Sequence, residues 1–143
     1  MGNGKSGNSA ISVKSRSVLT EASSVTFILT ADRARSKPFY AGALGLEILA
    51  EDENAVTFAF SGGARIRLTD LPGHEGREGT VLGWAVADIA SAMASLKSKG
   101  VTFRKFAGPD QDADGVWTAP DGSAKVAWFA DPDGNMLSIT EFG

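Results

Sequence analysis

The chain has no cysteine, and His74 is its single histidine. Without cysteine there is no disulfide framework, no thiolate nucleophile and no thiolate-bound zinc or iron–sulfur centre. With one imidazole, no site built from two histidines forms within one chain. Basic side chains are outnumbered, 14 against 17 acidic, for a net charge of -3. That balance argues against a protein that coats nucleic-acid phosphates. No apolar run approaches the roughly 20 residues of a membrane span. The Met1 region lacks the continuous apolar core of a secretory signal. What is present is a 43% hydrophobic composition over 143 residues, enough for a packed core. The length suits one ordinary domain, or two small halves sharing a core. The expectation is a cytoplasmic globular protein with neither a membrane nor a nucleic-acid partner.

Composition shifts near residue 23. Residues 1–23 are rich in Gly, Ser and Asn and carry Lys5, Lys14 and Arg16 against Glu21. Two readings stand for this arm. It is a flexible tail, or a strand built on Ile11, Val13, Val18 and Leu19 that packs on the acidic body or on a neighbour. From residue 24 the pattern is regular. Ser24 to Thr30 alternates as a strand. Asp32 caps a helix that runs to about Leu44 and stops at Gly45. Pro38 falls inside that span and predicts a kink or an irregular turn. Strands follow near Leu46–Ala50, Ala55–Phe60 and Ala64–Thr69, the last two joined by Ser61-Gly62-Gly63.

The pattern then repeats. A polar linker, 70–79, holds His74. Thr80 to Val86 is a strand, and Asp88 caps a helix with Ile89, Ala92, Met93 and Leu96 on one face and Gly100 at its end. Strands are expected at Val101–Phe106, Ala124–Ala130 and Met136–Glu141, with a weaker one at Gly115–Ala119. The fold class is therefore α+β. It consists of two tandem modules of strand, helix and three strands, 24–69 and 80–143, forming a curved mixed sheet around a cleft with helices outside.

Strand period assigns faces. Ile66 and Leu68 point to a helix, whereas Arg65, Arg67 and Thr69 point into the cleft. Leu137 and Ile139 are helix-facing, and Met136, Ser138 and Thr140 oppose them.

The stretch Ala127-Trp128-Phe129-Ala130-Asp131-Pro132-Asp133-Gly134-Asn135-Met136-Leu137-Ser138-Ile139-Thr140-Glu141 resembles the final hairpin of the vicinal oxygen chelate superfamily. That superfamily contains glyoxalase I, extradiol dioxygenases and bleomycin-resistance proteins. Phe39-Tyr40 followed by Leu44-Gly45-Leu46 is similar to its first helix ending. Gly83-Trp84-Ala85-Val86-Ala87-Asp88-Ile89 is similar to its second-half opening. The resemblance covers residues 24–143 and implies paired βαβββ modules, a cleft and frequent homodimerisation. In catalytic relatives it also implies a divalent metal held by His, Gln or Glu at four positions. Those positions fall here on Val25, Arg67, Val81 and Ser138. None is a usual metal ligand, so neither metal nor any other cofactor is expected.

The resulting reading is a metal-independent, homodimeric binder of a small organic molecule, anionic or aromatic, of the drug-sequestering type. Arg67 is the expected anion contact. Phe27, Phe58, Trp117 and Trp128 supply flat apolar surface, and Thr69 and Ser138 supply hydroxyls. Trp84, Phe39 and Phe129 are assigned to core packing. Two alternatives stay open. One is a metal-free isomerase or lyase drawing acid–base groups from Glu141, Asp114, Tyr40 or His74. The other is a non-catalytic interaction module with a filled cleft.

Overall fold

Alternating burial along Val25–Thr30, with Ile28 and Thr30 inside and Val25 and Phe27 outside, makes this segment the first strand, β1. The computed structural model describes residues 17–108 and 110–143. The elements after β1 are α1 (Arg33–Pro38), β2 (Glu47–Glu51), β3 (Ala55–Ala59) and β4 (Arg65–Asp70). The second half has β5 (Thr80–Ala85), α2 (Ile89–Ser98), β6 (Trp117–Thr118), β7 (Ala124–Ala130) and β8 (Met136–Phe142). Each half forms a four-stranded mixed sheet, ordered β1-β4-β3-β2 and β5-β8-β7-β6. In each, the first strand runs parallel to the last and the other pairs are antiparallel. The expected tandem βαβββ modules are both there.

Both helices start as the sequence suggests. The Asp32 carboxylate accepts from the Arg35 N–H, and that of Asp88 from the Ala90 and Ser91 N–H groups, satisfying donors left open at a helix start. Pro38 ends the α-helical part of α1. The chain continues as a wider π turn, Phe39–Ala43, in which the Leu44 N–H bonds to the Phe39 carbonyl at 2.9 Å.

The helix-facing sides of the two sheets share one apolar core. Ile28, Val56, Phe58, Ile66 and Leu68 come from the first half, and Ala127, Phe129, Leu137 and Ile139 from the second. The aromatic pair at the end of α1 touches both. The Tyr40 ring lies 5.9 Å from Phe58 and the Phe39 ring 6.4 Å from Phe129. Phe60 meets Trp84 edge-on at 6.0 Å, and Trp84 stacks on Phe129 at 6.5 Å. The opposite faces of both sheets look outward, with Val25, Phe27 and Val81 exposed.

A polar staple joins the halves at the turn before β8. Asp133 accepts from the Ala31 N–H and Arg35 at 2.9 Å each, and from the Ser36 hydroxyl at 2.5 Å. Asn135 Nδ2 donates to the Leu29 carbonyl at 2.8 Å, and its Oδ1 meets His74 Nε2 at 2.8 Å. His74, expected in a solvated loop, is thus half-buried and tied to this turn. Gly76 in the same linker donates to the Asp133 carbonyl at 2.8 Å. A Cβ on Gly76 would overlap the Gly134–Asn135 peptide, so the linker needs glycine there for close approach.

Two expectations change. Val101–Phe106 is not a strand: only Phe103 bridges to Phe129, and the strand that pairs with β7 on the edge away from β8 is the short β6. The chain departs after Arg104 because Gln111 holds the loop by its side chain. It accepts from the Phe106 N–H and donates to the Arg104 and Gly115 carbonyls. At the other end, Val18 and Leu19 sit exposed on a 3-10 turn, Val18–Glu21, and build no strand. Ile11 and Val13 lie outside the described residues.

Candidate functional site

The outer face of the first sheet is set by its register. Phe27 lies beside Arg67, Arg67 beside Thr57, and Thr57 beside Ala50. Val25, Arg65 and Ala59 form the next row. Thr69 lies on the same face, its hydroxyl donating to the Arg67 carbonyl at 3.0 Å. The Arg67 guanidinium donates to the Thr57 hydroxyl at 3.3 Å and to Asp52 Oδ2 at 3.2 Å. Asp52 stays ionised because the Asn54 and Ala55 N–H groups bond to it, with Arg67 adding to the effect. Together they hold its carboxyl below the ordinary value. The side chain of Arg67 remains about one-third exposed (32%). Arg67 is therefore fixed on one edge and open on the other.

Phe58 is not part of this face. It sits opposite Ile66 rather than Arg67, is fully buried, and packs on Tyr40. The correction follows from β3 as a whole: Ala55, Val56, Thr57 and Phe58 are all buried, so burial on that strand does not mark the face.

The outer face of the second sheet carries Ser138 between Gly83 and Trp128. Ser138 is buried, and its hydroxyl occupies the space above Gly83: a Cβ at Gly83 would lie 2.5 Å from it. Trp117, across from Val126, shares this face. Phe106 braces Trp128 edge-on at 5.7 Å. Sequence reasoning missed Thr57, Asp52 and Phe106. Thr57 became visible only through the β3–β4 register, Asp52 through the β2–β3 turn in which it accepts from the Asn54 and Ala55 N–H groups, and Phe106 through the Gln111-held loop.

The structure thus groups Phe27, Arg67 and Thr69 on one sheet and Trp117, Trp128 and Ser138 on the other. Cavities of about 320–570 Å³ among the described residues are lined by other side chains. One of about 570 Å³ surrounds the linker, lined by His74, Arg77, Val81 and Asn135. Another of about 320 Å³ is apolar and lies between Leu44, Trp84, Leu96 and Ile139.

The acid–base candidates each have a structural partner. Glu141 Oε1 accepts from the Ile89 N–H at 2.9 Å and caps α2. Asp114 is exposed and pairs with Lys97 at 3.7 Å. Tyr40 is buried against Asp131, and His74 is held by Asn135. Asn135 Nδ2 donates to the same Asp131 oxygen as Tyr40, so Tyr40 and His74 belong to one hydrogen-bonded network, with Glu141 and Asp114 outside it.

The four positions at which the superfamily places a metal do not fit one here. Val25 and Val81 present hydrocarbon, and Arg67 is a cation that repels another. Ser138 offers a neutral hydroxyl packed over Gly83. Among the described residues, no group of three His, Cys, Asp or Glu side chains is placed to hold a metal ion.

Comparison with known proteins agrees with this architecture. Residues 23–139 match the Glyoxalase/Bleomycin resistance protein/Dioxygenase superfamily. A superfamily member from Sphaerobacter thermophilus is 25% identical, with a TM-score of 0.62, covering 84% of this chain and 96% of its own. TnmS3, an antibiotic binding protein from Streptomyces sp. CB03234, is 22% identical with a TM-score of 0.63, over 85% of this chain and 96% of that one. Lactoylglutathione lyase from Agrobacterium tumefaciens is 18% identical with a TM-score of 0.63, over 84% and 92%. No curated protein sequence matches. No helix among the described residues is long and apolar enough to cross a membrane. With the match spanning nearly all of both modules, the chain belongs to the Glyoxalase/Bleomycin resistance protein/Dioxygenase superfamily.

Proposed function

We propose that this chain is a metal-independent, cytoplasmic binder of a small organic molecule, held on the outer faces of its two sheets. The observation that carries the reading is the content of the four superfamily metal positions. They hold Val25, Arg67, Val81 and Ser138, which suit apolar and anion contacts better than a cation. Around them stand Phe27, Trp117 and Trp128, side chains suited to flat apolar ligands. TnmS3, which binds an antibiotic, has the same fold, and sequestration of such a compound is the activity we assign.

The binder is a homodimer in this proposal. β1 and β5 are edge strands with one side unpaired, and Val25, Phe27 and Val81 on them are about half exposed or more, at 47%, 61% and 50%. Apolar edges of this kind favour a partner. A second copy would set the first sheet of one chain against the second sheet of the other and enclose the ligand.

A thermal-shift screen of antibiotics and small anionic metabolites tests the function. At least one compound is expected to raise the Tm of the native chain and to lose its effect in Arg67→Ala. A screen with no hit, or hits indifferent to both Arg67→Ala and Trp128→Ala, contradicts it. Sedimentation of the native chain tests the dimer, and a monomer at all concentrations overturns that part.

A further inference from the structure

We infer that the cavity around the linker between the two modules takes a small zwitterion of the α-amino acid type. Its carboxylate pairs with Arg77, and its ammonium donates to His74 Nδ1 and to Glu75. This site is separate from the outer sheet faces assigned above.

The proton on His74 is placed by its neighbour. Asn135 Nδ2 donates to the Leu29 carbonyl and to Asp131 Oδ2, both at 2.8 Å. A carbonyl only accepts, so the NH2 end of the Asn135 amide is fixed on that side. Its Oδ1 therefore faces His74 Nε2, at 2.8 Å, and can only accept from it. Nε2 carries the proton, and in the neutral ring Nδ1 is left as an acceptor. Nδ1 has no hydrogen-bond partner among the described residues. The half-buried residue is held at its backbone too, where its N–H donates to the Leu71 carbonyl at 3.1 Å.

The cavity of about 570 Å³ is lined by His74, Glu75, Arg77, Val81 and Asn135, and by three glycines that leave it room. That volume suits a small molecule. Arg77 and Glu75 are exposed and make no ion pair among the described residues. A cation, a carboxylate and a neutral acceptor thus line one cavity, and together they select the ligand class. A simple anion would meet Glu75 and a simple cation would meet Arg77, each a repulsion. A molecule carrying both charges satisfies both. The guanidinium fork matches the two carboxylate oxygens, and the ammonium has donors for both Nδ1 and Glu75. Val81 offers apolar surface to the ligand's side chain.

Calorimetric titration of the full chain with L-phenylalanine, hydrocinnamate, which lacks the ammonium, and phenethylamine, which lacks the carboxylate, tests the site. L-phenylalanine is expected to bind about tenfold more tightly than either analogue. Arg77→Gln and His74→Gln each weaken it about tenfold. His74→Gln keeps an amide that can donate to Asn135 Oδ1 but removes the ring acceptor, so its Tm stays near the native value. Gly79 lines the cavity, a Cβ there meets nothing within 4 Å, and its φ is outside the left-handed region. Gly79→Leu is therefore expected to fold and to block binding. Lys99→Gln, at the end of α2, leaves binding unchanged. The imidazole of the single histidine gives its own nitrogen-15 signals, and L-phenylalanine is expected to move that of Nδ1 more than that of Nε2. The site is wrong if L-phenylalanine does not bind, if either analogue binds as well, or if folded His74→Gln or Gly79→Leu binds like the native chain. Equal weakening by Lys99→Gln also overturns it. Binding lost in Trp128→Ala but kept in Gly79→Leu puts the amino acid on the outer faces, which removes this site and leaves the proposed function standing.

Discussion

The hydroxyl of Tyr40 donates to Asp131 Oδ2 at 2.5 Å, joining the end of α1 to the turn before β8 across 91 residues of sequence. Both groups are buried. Burial, then the charge and hydrogen bond of Asp131, raise the Tyr40 pKa far above its ordinary value. Tyr40 is the only tyrosine, so its titration is directly visible. The tyrosinate absorbance should not appear in the folded protein near pH 10 and should rise only with unfolding. The stabilisation is complete below the unfolded pKa and falls as pH climbs toward the folded one. Tyr40→Phe should cost about 1–3 kcal/mol in urea unfolding. A normal tyrosinate titration in the folded state contradicts this assignment.

Asp133 answers at the other end of the pH scale. Burial opposes its charge, but the Ser36 and Thr30 hydroxyls, the Ala31 N–H and Arg35 outweigh that and hold its carboxyl below the ordinary value. A depressed carboxylate stabilises the fold above its unfolded pKa, and that contribution fades as pH falls through the folded one. Asp133→Asn should therefore be less stable than the native chain at neutral pH and show a shallower loss of stability below about pH 4. Identical acid unfolding curves would show that the staple does not depend on this charge.

Glycines in the linker separate packing from backbone freedom. Gly76 faces the Gly134–Asn135 peptide with no room for a Cβ, whereas Gly79 has nothing within 4 Å. Gly76→Ala should cost about 3 kcal/mol by overpacking. Gly79→Ala should change stability by less than about 1 kcal/mol. Equal Tm values for the two variants would mean that the linker does not seat on the turn.

On the second sheet, Gly83 and Ser138 are coupled. A Cβ at Gly83 meets the Ser138 hydroxyl at 2.5 Å but the Ser138 Cβ only at 3.9 Å. Gly83→Ala should destabilise alone and be rescued by Ser138→Ala, with a coupling of about 1 kcal/mol in a double-mutant cycle. Strict additivity would place the hydroxyl elsewhere.

Much of this architecture is legible because its strands are half-buried. β4 alternates Arg65, Ile66, Arg67 and Leu68 between outside and core, so period alone puts Arg67 on the right face. Gly45 and Gly100, both with positive φ, mark the ends of the π turn after α1 and of α2. β3 is buried on both sides, and a strand without alternation cannot tell Phe58 from Thr57. Val101–Phe106 reads as a strand because Val101 and Phe103 alternate with Thr102 and Arg104. Side-chain hydrogen bonds from Gln111 to three backbone groups then decide its path, and strand periodicity does not encode them. Arg65 shares every periodic feature of Arg67; what separates the two is Asp52, which only the folded chain brings near.

The central claim is ligand binding without a metal at the outer faces. Its most direct test is a tryptophan-fluorescence titration of chelator-treated protein with the best compound from the antibiotic screen, repeated after adding magnesium, zinc or ferrous iron. The account predicts the same saturable binding curve with and without metal, and its loss in Trp128→Ala and Arg67→Ala. Binding that appears only after a divalent ion is restored would contradict it.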